Sequence, residues 1–175
     1  MSDCNNVNTT GSTTPSSAEI DFYLAVAKGD FTDYSNVSKF GINSTVGSGG
    51  FESIWEGSNA YPWPTDVQTL SVVSGSANDA SGGTGARTVE IQGLDTNWDV
   101  VTETITMNGV TPVVTTQTFR RVFRAKVVTA GSLQSNADEI TITGSTDSNI
   151  LAYISYDTIG MGQTLMAVYT IPNGK

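Results

Sequence analysis

The stretch from Thr84 to Gly131, TGARTVEIQGLDTNWDVVTETITMNGVTPVVTTQTFRRVFRAKVVTAG, constrains the fold of this chain more than any other segment. Val89 and Ile91 alternate with Thr88, Glu90 and Gln92; Val101, Ile105 and Met107 alternate with Thr102, Thr104 and Thr106. Alternation of β-branched and polar residues with period two predicts half-buried strands, because successive side chains of a strand point to opposite faces of its sheet. Asn108-Gly109 then supplies two residues tolerant of positive φ, which predicts a type I′ hairpin turn. A third run extends from Thr111 to Val128, so the block reads as a β-meander.

Further strands are expected at Glu19–Lys28 (Ile20, Phe22, Leu24 and Val26 alternating, closed by Gly29-Asp30), Val67–Val73, Glu139–Thr143, Ile150–Ile154 and Thr164–Ile171. No window holds a helical period over the roughly ten to twelve residues needed to recognise one. The expectation is an all-β chain, an antiparallel β-sandwich or jelly roll of roughly eight strands. Residues 1–18 are rich in Ser, Thr and Asn and are expected to form a flexible or extended N-terminal arm. Residues 19–175 are expected to form the sandwich domain. Between its first two strands lies a long loop, 31–66, in which aromatic residues are scattered without a period. Loops of that length usually make contacts.

Only 14% of the residues are charged, against about a quarter in an average domain, and hydroxyls and amides take their place on the surface. Eight basic and seventeen acidic residues leave a net charge of −9, which argues against free nucleic acid as a partner. A lone cysteine, Cys4, excludes an intrachain disulfide and any zinc site built from several cysteines, and fits folding in a reducing cytosol. The first twenty residues lack the basic and apolar regions of a signal peptide. No apolar run reaches the ~18 residues of a membrane span.

There is no histidine, which removes Ser-His-Asp and Cys-His catalysis. Carboxylate-only chemistry would have to use pairs such as Glu52 with Glu56 or Asp95 with Asp99, and solvated loop charges are the simpler account of both. Asp95, Asn97 and Asp99 have the first spacings of a calcium loop but lack its glycine and final glutamate, so a hairpin connection is expected instead. Ser81-Gly82-Gly83-Thr84-Gly85 lacks the lysine of a phosphate loop and reads as a flexible turn. No catalytic residue, cofactor or metal is expected.

The candidate contact residues fall into two groups. Phe31, Phe40, Phe51, Trp55, Tyr61 and Trp63 belong to the aromatic loop. Core packing is the ordinary role of tryptophan, and exposed Trp55, Trp63 and Trp98 would instead make a carbohydrate platform. Arg120, Arg121, Arg124 and Lys126 are four of the eight basic residues and lie within seven positions. On an ideal strand Arg120, Arg124 and Lys126 share a face with Val122, opposite Phe119, Phe123, Ala125 and Val127, with Arg121 the exception. That face is either solvated and paired with neighbouring carboxylates or a docking strand for an acidic partner.

The segments DFYLAVAKGDF…KFG, ESIWEG…YPWP, SGGTGARTVEIQGLD, ETITMNG…TTQTFRRVFRAKVVTAG and GQTLMAVYTIPNGK resemble a family of virion structural proteins from marine tailed phages, cyanophage- and pelagiphage-like, over about residues 19–175. The resemblance implies a particle component with no catalytic residues. Its members tend to continue past Pro172-Asn173-Gly174-Lys175 into a second β-rich region, so this chain would be a short form or a proximal, anchoring part. The expected function is non-enzymatic: capsid decoration or cement on the major capsid protein or another virion protein, as a homo-oligomer with a trimer favoured. The alternative is a tail component, such as an adaptor, fibre anchor or receptor-binding module. Localisation would be the virion, assembled in the host cytoplasm, with no membrane or nucleic-acid partner. A tailspike-like depolymerase is disfavoured by the absence of β-helix repeats.

Overall fold

A computed structural model describes residues 21–31, 34, 36–57, 59–156 and 162–174. The chain divides into two compact units, residues 1–38 with 175, and residues 39–174. The expected arm at 1–18 lies outside the described residues.

In the first unit the expected strand at Glu19–Lys28 is overturned: Phe22–Lys28 is a helix, α1. Asp21 caps it, its Oδ1 accepting from the N–H groups of Tyr23 (3.0 Å) and Leu24 (3.4 Å). Gly29, at φ 80°, closes it; its N–H bonds to Val26 O while that of Asp30 bonds to Ala25 O. A residue with a Cβ would resist that left-handed conformation. Asp21 and Gly29 thus fix both ends of a segment too short for its period to show. Phe22 packs on Phe31 (centroids 5.6 Å apart) and Tyr34 (5.4 Å).

The second unit is mostly β, with two antiparallel sheets. Its strands are β1 Leu70–Ser74, β2 Ala86–Leu94, β3 Val100–Thr106, β4 Val113–Val114, β5 Arg121–Ala130, β6 Ile140–Gly144 and β7 Ile150–Ile154. The sheet orders are β4-β1-β6-β7 and β3-β2-β5. Leu70, Val72, Ile140, Ile142, Leu151 and Ile154 of one sheet share a single core with Val89, Ile91, Ile105, Val122 and Ala125 of the other. Two sheets closing their apolar faces on one core is an arrangement consistent with a β-sandwich. No helix among the described residues is long and apolar enough to cross a membrane.

The β2–β3 hairpin forms as expected, but the meander does not. After β3 the chain crosses to the other sheet, where Val113 and Val114 pair with Val72 and Ser71, and returns as β5 on the far side of β2. Asn108-Gly109 is the junction rather than a type I′ turn. Positive φ falls on Gly109 (61°) and not on Asn108, and Gly109 bonds to Asp79 O (2.7 Å) and accepts from Ser74 N (3.1 Å).

The expected strands at Val67–Val73, Glu139–Thr143 and Ile150–Ile154 appear as β1, β6 and β7. Thr164–Ile171 is not a strand. Thr164, Leu165 and Met166 are buried in succession, which alternation forbids, and the segment is tied by Thr164 N to Ala125 O, Ala167 N to Ile54 O and Ile42 N to Leu165 O. Long-range tertiary contacts have replaced a ladder.

Candidate interaction surfaces

Three of the four acidic residues considered for catalysis, Glu52, Glu56 and Asp95, hold loops together through their carboxylates. Glu52 accepts from Gly47 N (2.8 Å) and from the amide of Asn43 (3.0 Å). Glu56 accepts from the Ser155 hydroxyl and from Leu165 N (3.0 Å). Asp95 Oδ1 accepts from Asn97 N (2.7 Å) and Asp99 N (3.0 Å), so the D-x-N-x-D spacing is hairpin chemistry.

Sequence reasoning missed Asp79, which is fully buried. Its carboxylate accepts from Ala86 N (2.6 Å), Ala137 N (2.8 Å), Asp138 N (3.3 Å) and the Ser74 hydroxyl (2.5 Å). The glycine-rich segment expected to be a flexible turn is therefore fastened at its base. The only hint in the sequence was an Asp within a Ser/Gly/Asn run, a pattern that most often marks a solvated turn.

Burial and the neighbouring Glu56 and Asp138 raise Glu139 above its ordinary range, and burial does the same to Tyr153. Among the described residues no cluster of three or more His, Cys, Asp or Glu could hold a metal.

The aromatic loop divides by burial. Trp55 and Tyr61, each 4% exposed, belong to the core. Their rings lie 5.1 Å apart, with Tyr153 of β7 5.9 Å from Trp55, and the Trp55 indole N–H donates to Asn59 O at 2.6 Å. Phe31, in the first unit, is half-buried. Phe40 and Phe51 are exposed, Phe51 fully. Phe51 stands beside Gly47–Gly50 on a loop whose neck is closed by Glu52 on Gly47 and by Asn43 Nδ2 on Ser53 O. With exposed Ile42, Val46 and Ile54, it gives residues 40–54 an unusual share of accessible apolar surface.

The basic strand forms two surfaces rather than one. A bulge places the extra residue Phe123 between Arg124, opposite Gln92, and Val122, opposite Gly93. This reverses the alternation: Val122 turns into the core, while Phe123 is buried against Tyr169, at 5.3 Å between centroids. Gly93 is required at the bulge, since a Cβ there would strike Arg121 O and the Phe119 ring.

Arg124 and Lys126 occupy the outer face. Lys126 pairs with Glu90 at 3.1 Å, and that contact is the main cause of the lowered pKa of Glu90. Arg124 reaches Gln163 at 3.3 Å. Lys39 donates to the carbonyl oxygen of Phe123 and sits 5.5 Å from the Phe123 ring. Burial, then Arg124, lower its pKa to about 8.

Arg120 and Arg121 lie instead at the start of β5, beside two tryptophans. Their guanidinium carbons are each 5.1 Å from the Trp98 ring, and that of Arg121 is 5.4 Å from the Trp63 ring. Arg121 Nη1 donates to Pro64 O (2.5 Å) and Arg120 O (2.8 Å), and Arg120 Nη1 to Thr65 O (3.3 Å). Trp98 has a φ of 66°, uncommon for a residue with a large side chain, and Asn173 N bonds to its carbonyl at 2.8 Å. Trp63 packs edgewise on Tyr61 at 4.9 Å yet remains 49% exposed. The loop at 63–65, the β2–β3 turn and the start of β5 thus converge on one ledge. Trp98 and its arginine partners were not joined in sequence, because only the hairpin and the β2–β5 register bring them together.

No protein-family model matches the chain, and comparisons with curated proteins and with solved structures find nothing similar to it.

Proposed function

We propose that this chain is a non-enzymatic structural protein of a tailed-phage virion that decorates the outer capsid surface. In this reading it binds the major capsid protein as a symmetric oligomer, a trimer favoured, and resides in the virion. The exposed apolar loop at 40–54, with Phe51 fully accessible on a neck closed by Glu52, is the observation that carries docking onto a partner surface, and the virion setting rests on the sequence resemblance. Accessible apolar surface held by a fastened loop suits docking onto a neighbouring subunit. Modest contacts made by several copies would add to firm attachment. The carboxylates of Glu52, Glu56 and Asp95 serve as backbone anchors, which is compatible with a non-catalytic role. The sequence resemblance to virion proteins points the same way. A jelly-roll form of the sandwich belongs to the proposal too, although the sheets count four and three strands among the described residues.

Half-exposed Trp63 beside Arg121 favours a second reading, a tail module that engages the host surface. An epitope fused after Lys175 and imaged on purified particles separates the two. Label in many copies over the capsid faces is the expected result; label confined to one vertex or to the tail overturns decoration in favour of the tail.

A further inference from the structure

We propose that the ledge of Trp63, Trp98, Arg120 and Arg121 is a binding site for sugar acids, the carboxylate-bearing residues of an acidic polysaccharide. Two adjacent guanidiniums lie within reach of each other's field, and neither has a carboxylate at ion-pair distance among the described residues. Their hydrogen bonds go to neutral backbone carbonyls, and the Nε of each is buried without a partner. Both guanidiniums lie against the Trp98 ring, and the loop carbonyls take their hydrogen bonds without neutralising their charge. Burial and the Arg120 charge push Arg121 below its ordinary range, so the pair is held together against its own repulsion. An anion at this place would relieve that repulsion, and guanidinium is the side chain best shaped for a carboxylate.

The aromatic half of the ledge selects the rest of the ligand. Trp63 offers a half-exposed indole next to the cations, a surface on which the C–H face of a sugar ring can stack while its carboxylate meets Arg120 or Arg121. Trp98, in the β2–β3 turn, adds a second indole within 5.1 Å of both guanidinium carbons. A densely charged partner, such as nucleic acid or a polyacidic peptide, would meet the net charge of −9 as well as the two local cations. A sugar acid meets the same repulsion but adds the C–H face of its ring, which can stack on Trp63 and which a peptide carboxylate or a phosphate lacks. The inference does not depend on whether the chain sits on a capsid face or a tail.

The test is a titration of the purified full chain with oligogalacturonate, oligomannuronate and oligosialate, followed through the indole N–H signals by heteronuclear NMR. Trp55, whose indole N–H is held by Asn59 O inside the core, is the internal reference and reports folding of each variant. Saturable shifts of Trp63 and Trp98 but not Trp55 are expected with at least one sugar acid, and none with neutral oligogalactose. Arg120→Gln and Trp63→Ala should each weaken binding roughly tenfold or more, while Arg124→Gln leaves it unchanged. No response to any sugar acid, an equal response to the neutral oligosaccharide, or undiminished binding by a folded Arg120→Gln variant overturns the proposal. Binding of polyglutamate or inorganic phosphate as tightly as the sugar acids also overturns it, since the ledge would then recognise charge alone. Particle labelling leaves all these outcomes untouched, so this site and the decoration role fail or stand separately.

Discussion

The phenol oxygen of Tyr61 lies 3.0 Å from the carbonyl oxygen of Leu151. The carbonyl of Val122 is 3.3 Å from the same phenol, so one proton is offered to β7 of one sheet and β5 of the other. A residue from the irregular loop therefore joins the two sheets. Tyr61→Phe keeps the ring contacts with Trp55 and Trp63 and removes only that proton. It should lower unfolding stability by about 1–2 kcal/mol in urea denaturation with an unchanged m-value. Tyr61→Ala, which also empties the ring site, should cost about 3–5 kcal/mol. Equal stability of the Phe variant and the parent would show that the phenol is not a tie.

The same phenol and Lys39 set opposite trends at alkaline pH. Lys39 titrates at about 8 in the folded chain against an ordinary 10.5, so between these values the unfolded chain holds a proton that the folded chain has released. Stability then rises with pH. Burial raises Tyr61 well above its ordinary 10.0, so above that pH the unfolded chain loses a proton that the folded chain keeps, and stability falls. Melting temperatures across this range should pass through a maximum near pH 10. Lys39→Met should flatten the rising limb, reduced in size because Lys39 is partly exposed, and Tyr61→Phe should soften the falling one. A rising limb that survives in Lys39→Met would assign it to another group.

Asp79 should be among the least replaceable residues of the chain. Asp79→Ala leaves the N–H groups of Ala86, Ala137 and Asp138 without their acceptor inside the protein, at a cost of about 3–5 kcal/mol, a large part of a typical domain's stability. Asp79→Asn retains one acceptor oxygen and should lose less. Hydrogen exchange is the direct measurement: the amides of Ala86 and Ala137, which share Oδ1, should be protected in the parent and exchange much faster in Asp79→Ala. Unchanged protection would rule out the carboxylate as the anchor.

These examples show which parts of the molecule could be read in advance. Val89 and Ile91 announce β2 because their alternation is a local property that the sheet preserves. The bulge at Phe123 is invisible in sequence, since it depends on Gly93 of another strand allowing Arg121 O to approach closely. Helix α1 hides behind an alternating pattern, its cap and its stop being the only signals. Trp55 and Trp63 have the same chemistry and similar neighbours, yet one is in the core and the other half-exposed. Burial in a loop is set by what the rest of the fold leaves covered, and Arg120, Arg121 and Trp98 meet only after β2 has turned and β5 has paired. The phage setting came from resemblance alone and rests on the particle experiment.

The decoration role makes a prediction in which stability and binding part company. Phe51 is fully exposed, so Phe51→Ser removes apolar surface without opening a cavity and should change unfolding stability by no more than about 0.5 kcal/mol. If the loop at 40–54 docks on a capsid, that variant should associate with particles lacking the protein much more weakly than the parent in a sedimentation assay. Adding Val46→Ser, on the same loop, should deepen the loss, because the two side chains would bury a common patch. Trp63→Ala, on the separate ledge, should bind particles as the parent does. Full particle binding by the double loop variant would remove this loop from the interface, and weakened binding by Trp63→Ala with the loop intact would move the contact to the ledge.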